Sequence, residues 1–157
     1  SYIGDDCDIN SHTVVDGALV QQGCSLGPFA RIRPGSELAK GVKVGNFVET
    51  KKIRMGEHSK ASHLAYLGEA LIVDDVNIGA GTVTCNYDGV EKHKTKIGDR
   101  AFVGTNSTLV APLDLGEGSF VGAGSTVTKD VGLGQLAVGR GKQRNVDGWL
   151  RPGSKSD

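Results

Sequence analysis

From Ile97 onward an aliphatic residue returns at every sixth position, at Ile97, Val103, Leu109, Leu115, Val121 and Val127, usually followed by glycine. The same beat is present at Ile3, Ile9 and Val15, at Leu26, Ile32, Leu38 and Val44, and at Ile72, Ile78 and Thr84. A period of six suits neither a 3.6-residue helix nor an uninterrupted alternating strand. It suits short strands joined by tight corners, with one aliphatic per strand turned inward and Gly, Asn or Asp taking the turn. Three such strands close a triangular coil of about eighteen residues, and stacked coils make parallel sheets about 4.8 Å apart. The expected fold is therefore all-β, a hexapeptide solenoid with a narrow aliphatic ladder along its axis.

Composition agrees with this architecture. The chain has 157 residues, 24 of them glycine, and only 5% are aromatic. Glycine is thus about twice its average usage of about 7%, which corners need and a conventional core does not. The 18 basic and 18 acidic side chains cancel, so the balance gives no support to a nucleic-acid or polybasic membrane role. No apolar run reaches the roughly 18 residues of a membrane span, and the first residues do not read as a signal peptide. Cys7, Cys24 and Cys85 are an odd set without CxxC spacing, expected to be reduced thiols of a cytosolic protein. Ser1 opens inside the periodic pattern, which we read as a piece of a longer protein. The expected division is a solenoid over 1–131 and a tail over 132–157, with Trp149 packing the tail down and the last few residues disordered.

Three stretches interrupt or decorate the beat. GPFARIRPG, residues 27–35, keeps the rhythm but sets Arg31 and Arg33 beside Pro34. Residues 48–70 read as off the beat and gather Lys51, Lys52, Arg54, His58, Lys60, His63 and Tyr66. Residues 84–96 read as an excursion loop, because Ile97 follows Ile78 by nineteen residues where three plain rungs take eighteen. Such local clustering of cations in a neutral chain is what binding a phosphate requires. His12, His58 and His93 read as structural residues, whereas His63, in KASHLAYLG, lies among small residues and an aromatic. A neutral imidazole there suits general-base work. No GxSxG nucleophile is present, and IGAGT and VGAGS are rungs of the repeat rather than phosphate loops. His58 and His63 have no ligand-rich motif around them, and no metal is expected.

The motifs GPFARIRPG, VGNFVETKK, SKASHLAYLG, VNIGAGTVTCNYDG, FVGTNSTLVAP and DGWLRP, in that order, resemble one family. It is the acetyltransferase domain of bacterial bifunctional N-acetylglucosamine-1-phosphate uridyltransferase/glucosamine-1-phosphate acetyltransferases. The resemblance covers essentially the whole chain. It implies a left-handed coil, although parallel crossovers are ordinarily right-handed, and a homotrimer with sites between subunits. It implies a bacterial cytoplasmic enzyme that moves acetyl from acetyl-CoA to the amine of glucosamine 1-phosphate, on the route to UDP-N-acetylglucosamine, peptidoglycan and lipopolysaccharide. His63 matches the general base. Arg33 and Lys51 match phosphate-binding positions, Tyr66 and Asn77 the remaining sugar-phosphate contacts, and Lys92 a substrate-side lysine. Ala80, Asn86, Tyr87, Thr105, Ala123 and Arg140 match positions lining the acetyl-CoA site. Ser62 stands where Gly is common, Thr105 where Ser is common, and GRGKQRNVDGW departs from the pattern beyond Arg140. The uridyltransferase half and its Mg²⁺ are not represented in these residues. Two rival readings stand beside this one: a carbonic-anhydrase-type hexapeptide metalloenzyme, and a non-catalytic trimerisation solenoid.

Overall fold

The computed structural model describes residues 1–154, so the disorder expected for the last few residues lies partly outside the described residues. Over the described residues the chain is a three-faced parallel β-solenoid, with sheets of seven, eight and seven strands. Successive strands fall on the first, second and third face in turn, as in Glu37–Leu38, Lys43–Asn46 and Glu49–Lys51. Each pairs in parallel with the strand one coil away, so Leu38 stacks on Met55, Val44 on Ala61 and Thr50 on Leu67. The inward ladder is the one the period marks: Val20, Leu26, Ile32, Leu38, Val44, Ile72, Ile97, Val103, Leu109 and Val121 are almost fully buried.

Each rung buries a second residue two positions earlier, usually a small one, such as Ala30, Ser36, Ser59, Ala65 or Ala101. A single aliphatic per strand was expected. The pleat explains the pair, since residues i and i−2 share a face and the narrow interior admits one large and one small side chain. Where a rung presents Thr, its hydroxyl is satisfied internally. Thr50 Oγ1 lies 3.1 Å from Ser36 Oγ, and Thr84 Oγ1 accepts from Gly68 N–H at 2.8 Å.

The register corrects two readings. Residues 48–70 do not leave the solenoid; Met55, Ala61 and Leu67 are buried rungs in register with their neighbours. The beat is masked because the corner between third and first face is one residue shorter there, from Thr50 to Met55 and from Leu67 to Ile72. Conversely, the excursion is larger than the count suggested. Ile97 stacks on Ile72 and Val103 on Ile78, so this coil carries seven residues beyond a plain one. Only residues 86–94 leave the sheets, between Val83–Cys85 and Thr95–Ile97.

Pairing also runs past residue 131, through Leu136–Ala137 on Phe120–Val121. Trp149 does not pin the tail within one chain, because it is exposed. No helix in the described residues is long and apolar enough to cross a membrane.

Candidate functional site

Two opposite edges of the third face carry the candidate residues. The edge between second and third face is a column of corners, one per coil, each hydrogen-bonded to the next. Leu64 N–H donates to Asn46 O, Gly81 N–H to Leu64 O, Asn106 N–H to Ala80 O and Gly124 N–H to Thr105 O, at 2.7–3.0 Å. Arg140 caps the run, its guanidinium donating to Ala123 O at 2.7 Å. Residues far apart in sequence thus share one line: His63, Ala80, Thr105, Ala123 and Arg140. Coils stack about 4.8 Å apart, so the imidazole lies at the foot of a track about 20 Å long, lined by small side chains and ended by a cation.

His63 is solvent-exposed, and its Nδ1 lies 2.9 Å from Asn46 Oδ1, one coil below in register. A carboxamide oxygen accepts, so Nδ1 carries the proton and donates. The Nε2 lone pair is left free. Asn46 is not singled out by the sequence, because its partnership depends on register across seventeen residues.

The opposite edge, between third and first face, carries the cations. Lys51 closes the strand Glu49–Lys51, and Gly68 stacks on it. The nearby Lys92 ammonium pushes the Lys51 pKa below its ordinary value, followed by a hydrogen bond between the two amines, with burial, Arg33 and Lys52 adding to it. Lys51, Lys92, Arg33 and Lys52 are therefore one positive cluster. Arg33 is held by Glu49 at 2.9 Å, and Arg31 reaches the same carboxylate at 3.6 Å. Glu49 is a second residue that sequence reading missed, again because its partners are one coil away.

Gly68 makes room above this cluster. A Cβ there would fall 2.6 Å from Tyr66 Oη and 3.0 Å from Asn86 Nδ2, so both side chains lie across bare backbone. Asn86 is buried at the root of the excursion, and Tyr87 is exposed beyond it. The excursion is a tight hairpin closed by a Tyr87–Lys92 bridge. Asp88 Oδ1 accepts from the amides of Val90 and Glu91 at 2.8 and 2.7 Å, and Oδ2 lies 2.7 Å from His93 Nε2. These contacts, the Glu91 amide first and His93 next, lower the Asp88 pKa to about 2. His93 is held by Asp88, and His12 stacks on Phe29 with centroids 4.8 Å apart.

The structure therefore brings together His63, Ala80, Thr105, Ala123 and Arg140 on one edge, and Arg33, Lys51, Tyr66, Asn86 and Lys92 at or near the other. Asn77 lies on the second face, between Lys60 and Phe102. Among the described residues no hydrogen bond or ion pair joins the two groups within one chain. Five residues of chain separate His63 from Gly68, on the order of 15 Å at most. Among the described residues no group of three His, Cys, Asp or Glu side chains could hold a metal ion.

Comparison with known proteins extends this description. Residues 94–129 match the family model described as the hexapeptide repeat of succinyl-transferase. The solved acetyltransferase domain of PglB from Neisseria gonorrhoeae, in complex with acetyl coenzyme A, superposes with a TM-score of 0.68 at 19% identity, over 74% of this chain and 55% of that one. A mutant of perosamine N-acetyltransferase from Caulobacter crescentus, in complex with CoA and GDP-perosamine, gives 0.66 at 22% identity, over 74% and 53%. These two likenesses establish the fold. The bifunctional protein GlmU of Marinobacter nauticus is 56% identical over 150 residues, which is 96% of this chain and 33% of that protein. The chain spans about a third of the length of this curated relative. It is, along nearly its whole length, a homologue of one portion of the GlmU proteins, built on a hexapeptide-repeat solenoid.

Proposed function

We propose that the chain is an acetyltransferase portion of a GlmU-type protein, transferring acetyl from acetyl-CoA to the amine of glucosamine 1-phosphate in the cytoplasm. One observation carries the reading: the His63 column, in which an oriented imidazole stands at the foot of a straight, small-residue track ending at Arg140. A long thin cofactor arm fits such a track. Ala80 and Ala123 leave it open, and Arg140 meets anionic groups at its far end.

The chemistry needs no acyl-enzyme. As the sugar amine attacks the thioester carbonyl, its proton passes to His63 Nε2, and the C–N bond forms. The tetrahedral intermediate then expels the thiolate of CoA, which takes a proton from the imidazolium to leave as the thiol. Arg33, Lys51 and Lys92 hold the phosphate, and Tyr66 and Asn77 orient the sugar. Fixing both reactants supplies much of the acceleration.

The separation of the two edges supports a site shared between copies. In a threefold ring the His63 edge of one copy meets the loop edge of the next. Exposed apolar side chains on the His63 edge favour such contact. Phe29, Phe47 and Leu64 take left-handed corners with φ of 56°, 59° and 47°, and all are exposed. A non-glycine residue in that region costs about 1–3 kcal/mol, which burial against a neighbouring copy would offset.

The test is release of free CoA when acetyl-CoA and glucosamine 1-phosphate are supplied together. His63→Ala should remain folded and lose about 10²–10⁴-fold in kcat, as expected for a general base. Turnover at the wild-type rate in that variant would remove His63 from the mechanism.

A further inference from the structure

On the first face, round the loop edge from Lys51, lies a cavity of about 460 Å³ that acetyl transfer does not use. Its floor is aliphatic, from Ile53, Ala70 and the exposed flank of Leu71. Its rim carries Lys52, Lys94 and Lys96. Lys94 and Lys96 straddle the fully buried Thr95, so the pleat sends both ammonium groups to the outer side. Lys52 takes a left-handed corner, φ 50°, and its stem lies against Gly35, where an added Cβ would sit 3.0 Å from Lys52 Cγ.

Among the described residues none of these three lysines forms an ion pair, whereas the fourth cation, Arg54, is held by Glu37 at 3.0 Å. The remaining acid of the lining, Glu69, does not neutralise them, and its Oε1 is buried with no hydrogen-bond partner. Three unpaired ammonium groups call for a multiply charged anion. An apolar floor with a few convergent polar groups suits a ring.

We infer that this cavity is a second binding site, taking a phosphorylated sugar. The phosphate lies among Lys52, Lys94 and Lys96, and the ring lies over Leu71. The inference does not rest on the acetyltransferase reading.

Glucose 6-phosphate, which has no amine to acetylate, is the probe, and inorganic phosphate is its control. Both are titrated into the full chain and followed through backbone amide shifts. Saturable glucose 6-phosphate shifts are expected at Ala70, Leu71 and Lys96, and they should persist in an Arg33→Ala/Lys51→Ala chain, in which the neighbouring cluster is disabled. Lys94→Ala/Lys96→Ala should weaken this binding by about ten-fold or more, from the loss of two charge-assisted contacts. Leu71→Ala should weaken glucose 6-phosphate by about three-fold while inorganic phosphate binds no more weakly, since only the ring uses the apolar floor. Shifts confined to Lys51 and Lys92, or undiminished binding after both lysines are removed, would overturn the assignment.

Discussion

The contact between His63 Nδ1 and Asn46 Oδ1 assigns a direction to the imidazole as well as a place. With Nδ1 donating to Asn46, the lone pair on Nε2 is the one available for the proposed proton transfer. Asn46 is then a positioning residue, and its loss should act on the chemical step. Asn46→Ala should lower kcat by about ten-fold with little change in KM for either substrate, and Asn46→Asp, which keeps an acceptor, should restore most of the rate. A rise in KM at constant kcat would mean that Asn46 binds substrate instead. At the other edge, the proposed phosphate site needs Lys51 charged, yet the Lys92 ammonium beside it lowers its pKa. Affinity for the sugar phosphate should fall as pH rises through that depressed value. Replacing Lys92 with Ala removes the repulsion, so the fall should move to higher pH even as affinity drops. Titrations of binding against pH in the two proteins compare these limbs directly, and an unmoved limb contradicts the contact.

At the scale of elements, one carboxylate ties the excursion hairpin together alongside its backbone hydrogen bonds. The Asp88 pKa is lowered to about 2 by the Glu91 amide, His93 and the Val90 amide, so the ionised form stabilises the folded loop. That contribution is complete above the ordinary carboxylate range and disappears as pH falls through about 2. Asp88→Asn should loosen the hairpin at neutral pH, with hydrogen exchange at the Val90 and Glu91 amides about ten-fold faster and the core strands unaffected. Equal exchange in the two proteins would show that the backbone alone holds the hairpin. The rungs themselves were legible in the sequence, since Leu26, Ile32, Leu38 and Val44 each repeat at six and each is buried. Residues 48–70 were not, because shortening a corner by one residue shifts the count without disturbing the stacking of Met55 on Leu38. Corners were only half legible. Gly81, Asn106 and Gly124 are residues that tolerate a left-handed backbone, but His12, Phe29, Phe47 and Leu64 take the same conformation on the same edge. His63 and Arg33 could be named from their motifs, whereas Asn46 and Glu49 could not, since their partners come from adjoining coils rather than adjoining sequence.

For the whole molecule, the solenoid acts as a ruler. Parallel stacking in register turns sequence separations of seventeen to twenty-five residues into steps of about 4.8 Å, which is how His63 and Arg140 come to share a line. His63 and the Lys51–Lys92 pair stand on opposite edges of the third face, and among the described residues no hydrogen bond or ion pair joins them within one copy. In the proposed function, acetyl transfer takes its base from one copy and its phosphate-binding cations from the next. Co-expression of a His63→Ala chain with an Arg33→Ala/Lys51→Ala chain, followed by CoA release from the purified mixed assemblies, tests this most directly. Each variant alone should be nearly inactive. With random mixing in threefold rings, about a quarter of the junctions join an intact His63 edge to an intact cation edge. Activity near a quarter of wild type is the predicted result, and mixed assemblies no more active than the separate variants would contradict it.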